Sequence, residues 1–198
     1  EHVRRAFAIA RAFRPRLTRR ERARILFATA DAIEANRDRL AHLITSESGL
    51  CLKDSLHETA RAKDVWSFAA HSVLQDDGAI YAGDIGGSAQ SRRIFATRTP
   101  LLGVISAITP FNHPLNLVSH KLAPAIATNN RVVLKPAEAT PLTALALAEL
   151  LYEAGLPPEM LSVVTGEPRS LGDAMINDPD IDLVKDTYRL REMVANHP

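Results

Sequence analysis

The chain has 198 residues, of which 46% are hydrophobic and 24% are charged, and its formal net charge at pH 7 is +1. This composition is typical of a globular protein, and the near-neutral charge gives no electrostatic basis for binding nucleic acid. No apolar run approaches the roughly 20 residues that span a bilayer, so the sequence predicts no membrane segment. One cysteine excludes an internal disulfide framework and favours a reducing, cytoplasmic location.

The first part of the chain predicts a layer of helices. Apolar residues recur at helical spacing, and Thr18 with Glu21 forms a capping box. The predicted helices are Val3–Phe13, a helix from the capping box to about Ala35, Asp38–Glu47 and Leu56–Leu74. Glu1 stands directly before the first of them, so we expect the natural N-terminus to lie upstream. The glycine-rich stretch Asp76–Ser91 predicts a loop, and Arg92–Thr99 predicts a strand.

The second part predicts alternating strands and helices. The strands are Leu101–Ile108, Arg131–Leu134, Leu161–Val164 and Ile181–Val184, and the helices are Leu115–Ala127 (bent at Pro124), Leu142–Ala154 (capped by Thr140) and Leu171–Ile176. Such alternation is typical of a doubly wound parallel sheet. We therefore expect an α/β fold with a helical part at 1–91, a partial Rossmann-like domain at 92–184 and a divergent tail at 185–198.

Two motifs follow the ends of predicted strands. TPFNHP, which contains Asn112, comes after the first strand of the sheet, and KPAEATP, which begins at Lys135, comes after the second. Ligands of such sheets gather at the carboxyl ends of the strands, so both residues can reach one crevice. The residues alone leave alternatives open: Asn112 can simply cap a turn or the next helix, and Lys135 and Glu138 can be a solvated ion pair.

The two motifs together, with the run RRIFATRTPLLGVISAITPFNHPLN, resemble the aldehyde dehydrogenase superfamily. The resemblance extends over roughly Val3 to Val184. The sequence of the quoted run is most similar to that of phosphonoacetaldehyde dehydrogenase-like members. It implies oxidation of a small, anionic or oxygenated aldehyde with NAD or NADP through a cysteine thiohemiacetal. It also implies a helical part that packs on the cofactor domain, and a homo-oligomeric full-length protein.

The resemblance implies roles for single residues. Asn112 matches the residue whose amide stabilises the oxyanion formed from the aldehyde, and Lys135 and Glu138 match the pair that holds the adenosine ribose. The carboxylate of Glu138 repels a 2′-phosphate and so favours NAD over NADP. Gly166 matches a glycine near the adenine pocket, although an ordinary turn explains it equally. We expect Ile108 on the cofactor side of the first turn, with simple core packing as the alternative.

Three residues are candidates for contact with the substrate. Phe111 is expected on the substrate side of the turn, with a role in the core as its alternative. His113 can donate a hydrogen bond to an anionic or hydroxylated substrate tail, or it can bond the local backbone. Arg61 lies on a helix that borders the substrate channel in the family and can pair with a phosphonate or carboxylate, although most such arginines are simply surface residues.

The resemblance stops after Val184. The family continues with a Phe-Thr-Gly-Ser stretch that meets the pyrophosphate, whereas this chain has Lys185-Asp186-Thr187-Tyr188. Cys51 lies between two helices and is not predicted to be the nucleophile, and the general-base glutamate motif of the family is absent. We therefore expect an N-terminal fragment that does not oxidise aldehydes alone. The alternative is a non-catalytic nucleotide-fold module that acts through a partner.

Two further features carry no predicted site. Nine arginines fall within the first 24 residues, a pattern that occurs in organelle transit peptides and in nucleic-acid-binding patches. The same helices carry apolar faces, however, so we expect these arginines to lie on the solvated sides of packed helices. His113 and His120 are seven residues apart without an acidic or cysteine partner in register, so no metal site is predicted.

Overall fold

The computed structural model describes residues 1–75, 78–82, 93–97 and 102–186. The helices are α1 (His2–Ala12), α2 (Arg19–Ala35), α3 (Arg37–Ser48), α4 (Leu52–Leu74), α5 (Asn116–Ala127), α6 (Leu142–Glu153) and α7 (Pro168–Asn177). The strands are β1 (Gly78–Ala82), β2 (Arg93–Thr97), β3 (Val104–Ile108), β4 (Arg131–Lys135), β5 (Leu161–Val163) and β6 (Leu183–Asp186). A single 3-10 turn, Pro158–Met160, leads into β5.

Four strands form a parallel sheet in the order β5-β4-β3-β6. The chain passes from β3 to β4 and β5 through α5 and α6, and then returns to the other side of β3 as β6. The direction of travel across the sheet therefore reverses between β3 and β6. Such a switch point leaves a crevice at the carboxyl ends of the strands, where ligands of open α/β sheets bind.

Helices cover both faces of this sheet. Ile105 and Val132 point into the larger core cluster, which they share with residues of α2, α4, α5 and α6. Val104 and Val133 alternate with them and pack in the smaller cluster with residues of α1 and α7. The predicted fold class is therefore confirmed: a helical layer followed by part of a doubly wound parallel sheet.

The helical layer follows the sequence pattern closely. The capping box at Thr18 and Glu21 is present and opens α2. Gly49 ends α3 with a φ of 76°, a left-handed conformation that glycine adopts without strain. The fourth helix begins at Leu52, earlier than the predicted Leu56, because Cys51 with its extended backbone already serves as the N-cap.

The prediction of a loop throughout Asp76–Ser91 is wrong for Gly78–Ala82, which forms β1. This strand pairs with β2 in an antiparallel two-stranded sheet. The glycines of the stretch suggested a loop, but a strand is decided by its pairing partner as much as by its own residues. The expected boundary between residues 91 and 92 lies outside the described residues. The last strand ends at Asp186 and not at Val184.

The helical layer and the sheet share one core. The indole N–H of the fully buried Trp66 on α4 donates a 2.9 Å hydrogen bond to the hydroxyl of Ser119 on α5. That hydroxyl in turn donates to the carbonyl of Leu115 at 2.8 Å. The start of α5 is thereby tied to the middle of α4. Within the part of the chain that the structure describes, none of the helices has the length and apolar character needed to cross a membrane.

Candidate active site

The turn after β3 carries the first motif at the carboxyl edge of the sheet. Pro110 and Pro114 bracket it, and because proline lacks an N–H, the turn continues neither the strand ladder nor a helix. Asn112 is exposed in the middle of the turn, beside the switch point between β3 and β6. Phe111 precedes it with 62% of its surface exposed. An amide held in such a turn can donate hydrogen bonds to a ligand in the crevice.

A buried carboxylate from the helical layer closes the N-terminus of α5. Glu58 is only 3% exposed, and its Oε1 accepts hydrogen bonds from the backbone N–H groups of Leu115 at 2.8 Å and Asn116 at 3.0 Å. Its Oε2 lies 3.3 Å from Nδ1 of His113. The first N–H groups of a helix have no partners inside the helix, so Glu58 satisfies two of them and anchors the turn that carries Asn112.

Sequence reasoning missed Glu58, although a signal was present. Glu58 lies on the same face of α4 as Ala62 and Trp66, and all three are buried. A carboxylate on the buried side of a helix requires a partner, so this spacing indicated a polar contact without revealing its location. For His113 we considered a substrate contact or a backbone contact, and the structure adds a third, the side chain of Glu58.

A groove of about 440 Å³ opens beside this turn, between the N-terminal half of α4 and the start of α5. Glu58, Arg61, His113 and Asn116 are among its lining residues. The structure therefore brings together Arg61 and His113, the two residues expected to meet an anionic substrate. Asn116 adds a buried side-chain oxygen that has no hydrogen-bond partner among the described residues.

The next turn of α5 lies in positively charged surroundings. Burial lowers the pKa of His120, and the charges of Arg61, Lys185 and Lys121 lower it further. These cations come from α4, β6 and α5, three elements that converge near the carboxyl end of β3. The groove itself is lined by Arg61 together with the carboxylates of Asp54 and Glu58.

The second motif forms an ion pair at the end of β4. Lys135 is 5% exposed, and its Nζ pairs with the carboxylate of Glu138 in the following turn. Burial alone would raise the pKa of Glu138, but the hydrogen bond and charge of Lys135 outweigh it, so this pKa lies below its usual range. A carboxylate beside an ammonium group offers acceptors and donors that match two ribose hydroxyls. The role of the pair in holding a ribose stays a prediction.

Ile108 and Gly166, the other two residues predicted to meet the cofactor, lie at the end of β3 and just after β5. Ile108 is half-buried and packs with the smaller core cluster, on the face covered by α1 and α7. Gly166 follows β5 with a φ of 151°, a conformation that residues with a side chain rarely adopt, and a Cβ there would lie 2.8 Å from Cδ1 of Leu171. Nearby, Val164 and Thr165 line a groove of about 450 Å³ that extends to the start of α1.

The helix after the second motif is not capped as predicted. The prediction that Thr140 caps it is wrong: Pro141 is the N-cap, and the Thr140 hydroxyl is buried without a partner among the described residues. Glu47 of α3 takes this role. It accepts hydrogen bonds from the N–H groups of Leu142 at 2.8 Å and Thr143 at 2.9 Å, and from the Thr143 hydroxyl. The two carboxylate oxygens of Glu47 satisfy three donors, and their negative charge makes them stronger acceptors than a neutral hydroxyl.

Protein carboxylates therefore fill the N-termini of both α5 and α6. Each of these carboxylates occupies two of the first N–H groups of its helix, the groups that in a dinucleotide fold often meet the phosphates of a cofactor. Cys51 is exposed at the N-cap of α4. It belongs to the helical layer and to neither motif turn.

The family model for the aldehyde dehydrogenase family matches residues 1–187, so the chain belongs to the aldehyde dehydrogenase family. This confirms the family that the two motifs predicted. A curated relative, the 3-sulfolactaldehyde dehydrogenase of Priestia aryabhattai, is 38% identical over 163 residues, which are 82% of this chain and 34% of the relative.

Solved structures give the same result. An NAD-dependent aldehyde dehydrogenase from Sinorhizobium meliloti matches with a TM-score of 0.80 and 36% identity, over 92% of this chain and 36% of that one. A glyceraldehyde-3-phosphate dehydrogenase from Methanocaldococcus jannaschii, in complex with NADP, matches with a TM-score of 0.84 and 28% identity, over 93% of this chain and 41% of that one. The chain thus spans little more than a third of the length of these relatives.

Proposed function

We propose that this chain is the N-terminal part of an NAD(P)-dependent aldehyde dehydrogenase that oxidises a small anionic aldehyde to the acid. The observation that carries the proposal is the arrangement at the carboxyl edge of the sheet. Asn112 stands at the switch point after β3, and the Lys135–Glu138 pair stands at the end of the neighbouring strand. The amide of Asn112 is suited to a reacting carbonyl, and the Lys135–Glu138 pair is suited to a cofactor ribose.

In the proposed reaction, the amide of Asn112 donates a hydrogen bond to the carbonyl oxygen as it becomes negative. A single donor of this kind can contribute about 3 kcal/mol to the stability of the transition state. The prolines beside it and the carboxylate of Glu58 limit its movement, so little reorganisation is needed when the charge develops. The bound cofactor supplies the acceptor for the hydride.

Lys135 and Glu138 are proposed to orient the cofactor through its adenosine ribose. The negative charge of Glu138 favours a free 2′-hydroxyl, and so NAD, over the 2′-phosphate of NADP. The named relatives include an NAD-dependent enzyme and one bound to NADP, so use of either cofactor is compatible with the family. Ile108 and Gly166 are proposed to line the cofactor side of the same edge.

The proposal of an anionic substrate rests on the groove beside Asn112. Arg61 and His113 line it together with Asp54 and Glu58, and the carboxylate of Glu58 is engaged by the backbone N–H groups of Leu115 and Asn116. A guanidinium group pairs well with a planar or tetrahedral oxyanion such as carboxylate, sulfonate or phosphonate. The name of the relative from Priestia aryabhattai indicates that it acts on a sulfonated aldehyde. Phosphonoacetaldehyde is our specific candidate for the substrate. Phe111 is proposed to line the substrate side of the turn that carries Asn112.

The nucleophile is proposed to come from polypeptide outside residues 1–198. Cys51, the one cysteine of these residues, caps α4 in the helical layer and precedes the cofactor fold. The same observation favours a second candidate function, a nucleotide-binding module that acts through a partner without catalysis. A cytoplasmic location and a homo-oligomeric assembly also stay predictions.

The experiment compares phosphonoacetaldehyde with uncharged propanal as substrates of the full-length protein that contains this chain. We expect kcat/KM to favour phosphonoacetaldehyde. Arg61→Ala should lower kcat/KM for phosphonoacetaldehyde by about 10- to 100-fold, because it removes a charge-assisted contact, and should leave propanal nearly unaffected. Arg39→Ala, an exposed arginine of α3 that bonds Asn36, is the matched control.

Three outcomes would count against parts of this proposal. Equal preference for both aldehydes, or equal losses for both in Arg61→Ala, would contradict the anionic substrate. Oxidation of no aldehyde at all, with NAD still bound, would favour the non-catalytic module. Absence of NAD and NADP binding would contradict both functions.

A further inference from the structure

We propose that two glutamates of the helical layer are positioning residues for the two motif turns: Glu58 for the turn that carries Asn112, and Glu47 for the turn that carries Glu138. The proposal rests on the function proposed above and deepens it. Glu58 lines the groove, but it is only 3% exposed and its Oε1 accepts two hydrogen bonds from the start of α5, whereas Glu47 accepts hydrogen bonds from the start of α6. Each glutamate is therefore proposed to act through the helix that it caps.

The first step concerns Glu58, whose three contacts all lie at the start of α5. It accepts from the N–H groups of Leu115 and Asn116, and its other oxygen faces His113. Leu115, the N-cap residue, makes no side-chain cap hydrogen bond. The N–H groups of Leu115 and Asn116 at the start of α5 therefore depend on a residue 57 and 58 positions earlier in the chain. Asn112 is three residues from this anchor, so displacement of the anchor displaces the amide.

The second step concerns Glu47, which does the same for α6. It accepts hydrogen bonds from Leu142 and Thr143, 95 and 96 positions away. The local residues offer no substitute, because Pro141 has no side-chain donor or acceptor and the Thr140 hydroxyl makes no such bond. The short segment between Lys135 and this cap contains Glu138. Its conformation is therefore held at one end by β4 and at the other by Glu47.

The third step is the pattern shared by both sites. Each motif turn leaves a parallel strand and enters a helix whose N-terminus is closed by a carboxylate from the helical layer. Charge-assisted hydrogen bonds of this kind are stronger than neutral ones, and they favour the positive end of the helix dipole. The helical layer is thus proposed to fix the position of the turn that carries Asn112 and, separately, that of the turn that carries Glu138. This predicts separable effects: loss of Glu58 disturbs chemistry, and loss of Glu47 disturbs cofactor binding.

The test uses the full-length protein with Glu58→Ala, Glu47→Ala and, as a matched control, Glu34→Ala. Glu34 also belongs to the helical layer, but it pairs with Lys63 at the surface, away from both turns. Hydrogen exchange followed by mass spectrometry reports on peptides that contain Leu115–Asn116 or Leu142–Thr143. We expect Glu58→Ala to speed exchange about tenfold in the first peptide only, and Glu47→Ala in the second only.

Steady-state kinetics and cofactor titration form the second readout. Glu58→Ala should lower kcat by about tenfold or more and change the Kd for NAD by less than about twofold, because a small misplacement of a reacting group is costly. Glu47→Ala should raise the Kd for NAD by about tenfold, with a smaller change in kcat. Glu34→Ala should resemble the wild type in both readouts.

Glu58→Gln provides the rescue. The amide oxygen of glutamine can accept both backbone hydrogen bonds that Oε1 now accepts, so exchange protection and kcat should return to within about threefold of wild type. If Glu58→Ala does not fold, the comparison of Glu58→Gln with the shorter Glu58→Asp replaces it. Asp should lose protection at Leu115–Asn116, whereas Gln should keep it.

Several results would overturn the inference. Faster exchange in all peptides, or parallel losses of kcat and NAD affinity in both variants, would mean that the glutamates act only on overall stability. Unchanged exchange at the capped helices would mean that the contacts do not hold the turns. Absence of aldehyde oxidation by the wild type would contradict the proposed function alone, because the exchange experiment and the NAD titration would still test the positioning.

Discussion

At the scale of single residues, Glu138 shows how a neighbour sets the state of a functional group. Burial works against its negative charge, but Lys135 reverses the outcome and lowers its pKa. The carboxylate is therefore ionised at neutral pH. The nearly buried ammonium group of Lys135 is likewise held in place by Glu138. The two side chains together are proposed to meet a ribose diol.

This pair leads to a prediction about cofactor choice. Glu138→Gln keeps the size and one acceptor but removes the charge that repels a 2′-phosphate. We expect the preference for NAD over NADP, measured as the ratio of kcat/KM values in the full-length protein, to fall by about tenfold. Glu167→Gln, at the exposed N-cap of α7, is the control. An unchanged ratio in Glu138→Gln would contradict its proposed contact with the ribose.

At the scale of elements, an aspartate before β6 ties three segments together. Asp182 accepts a hydrogen bond from the N–H of Val104 at 2.7 Å, and its Oδ2 lies 3.0 Å from Nη1 of Arg11 on α1. Arg11 also donates to the carbonyl of Asp180 at 2.6 Å. Burial would raise the pKa of Asp182, but the hydrogen bond from Val104 and the contacts of Arg11 outweigh it. The pKa is therefore lowered.

The lowered pKa predicts how stability depends on pH. A group whose pKa is lower in the folded state stabilises the fold above its unfolded pKa and loses that contribution as the pH falls through the folded value. Asp182→Asn should reduce the free energy of unfolding at pH 7 by about 1 to 2 kcal/mol. This difference should begin to shrink as the pH falls below about 4, the ordinary pKa of an aspartate in the unfolded chain, and should vanish once the pH passes through the lower pKa of the folded state. Denaturant unfolding at several pH values measures it, and a pH-independent difference would contradict the assignment.

The contact between α4 and α5 gives a second prediction at this scale. Trp66→Phe keeps an aromatic ring but removes the N–H that donates to Ser119 and leaves a small cavity. We expect a loss of about 2 kcal/mol in the free energy of unfolding. Phe68→Ala, on the same helix but 70% exposed, should change it by no more than about 0.5 kcal/mol. Equal losses in the two variants would mean that the buried hydrogen bond does not join the layers.

At the scale of the whole molecule, local patterns in the sequence predicted most of the architecture. The spacing of apolar residues, together with the positions of the prolines, predicted β3, β4 and the helices that follow them. These signals lie within each element and so can be read from the local sequence. They also predicted that Asn112 lies in the turn after β3 and that Lys135 lies where the neighbouring strand ends, and Lys135 is the last residue of β4. The motif pair then indicated the family, which the family model confirms.

The features that local patterns missed depend on residues distant in the sequence. The strand Gly78–Ala82 exists through its pairing with β2, and its glycine suggested a loop. Thr140 was the best local candidate to cap α6, but Glu47 is a stronger acceptor and reaches the helix only in the folded chain. Glu58 is likewise understandable only when α4 lies against α5. Sequence reasoning therefore found the turns but not the residues that hold them.

The measurement that tests this account most directly is the kcat of Asn112→Ala in the full-length protein. We predict a fall of about 100- to 1,000-fold, with the Kd for NAD within about twofold of wild type, because the amide acts on the oxyanion and not on the cofactor. Asn177→Ala, which removes an exposed amide that bonds Asp173 on α7, should leave kcat unchanged. A wild-type kcat in Asn112→Ala would contradict the central claim that this turn carries the oxyanion donor.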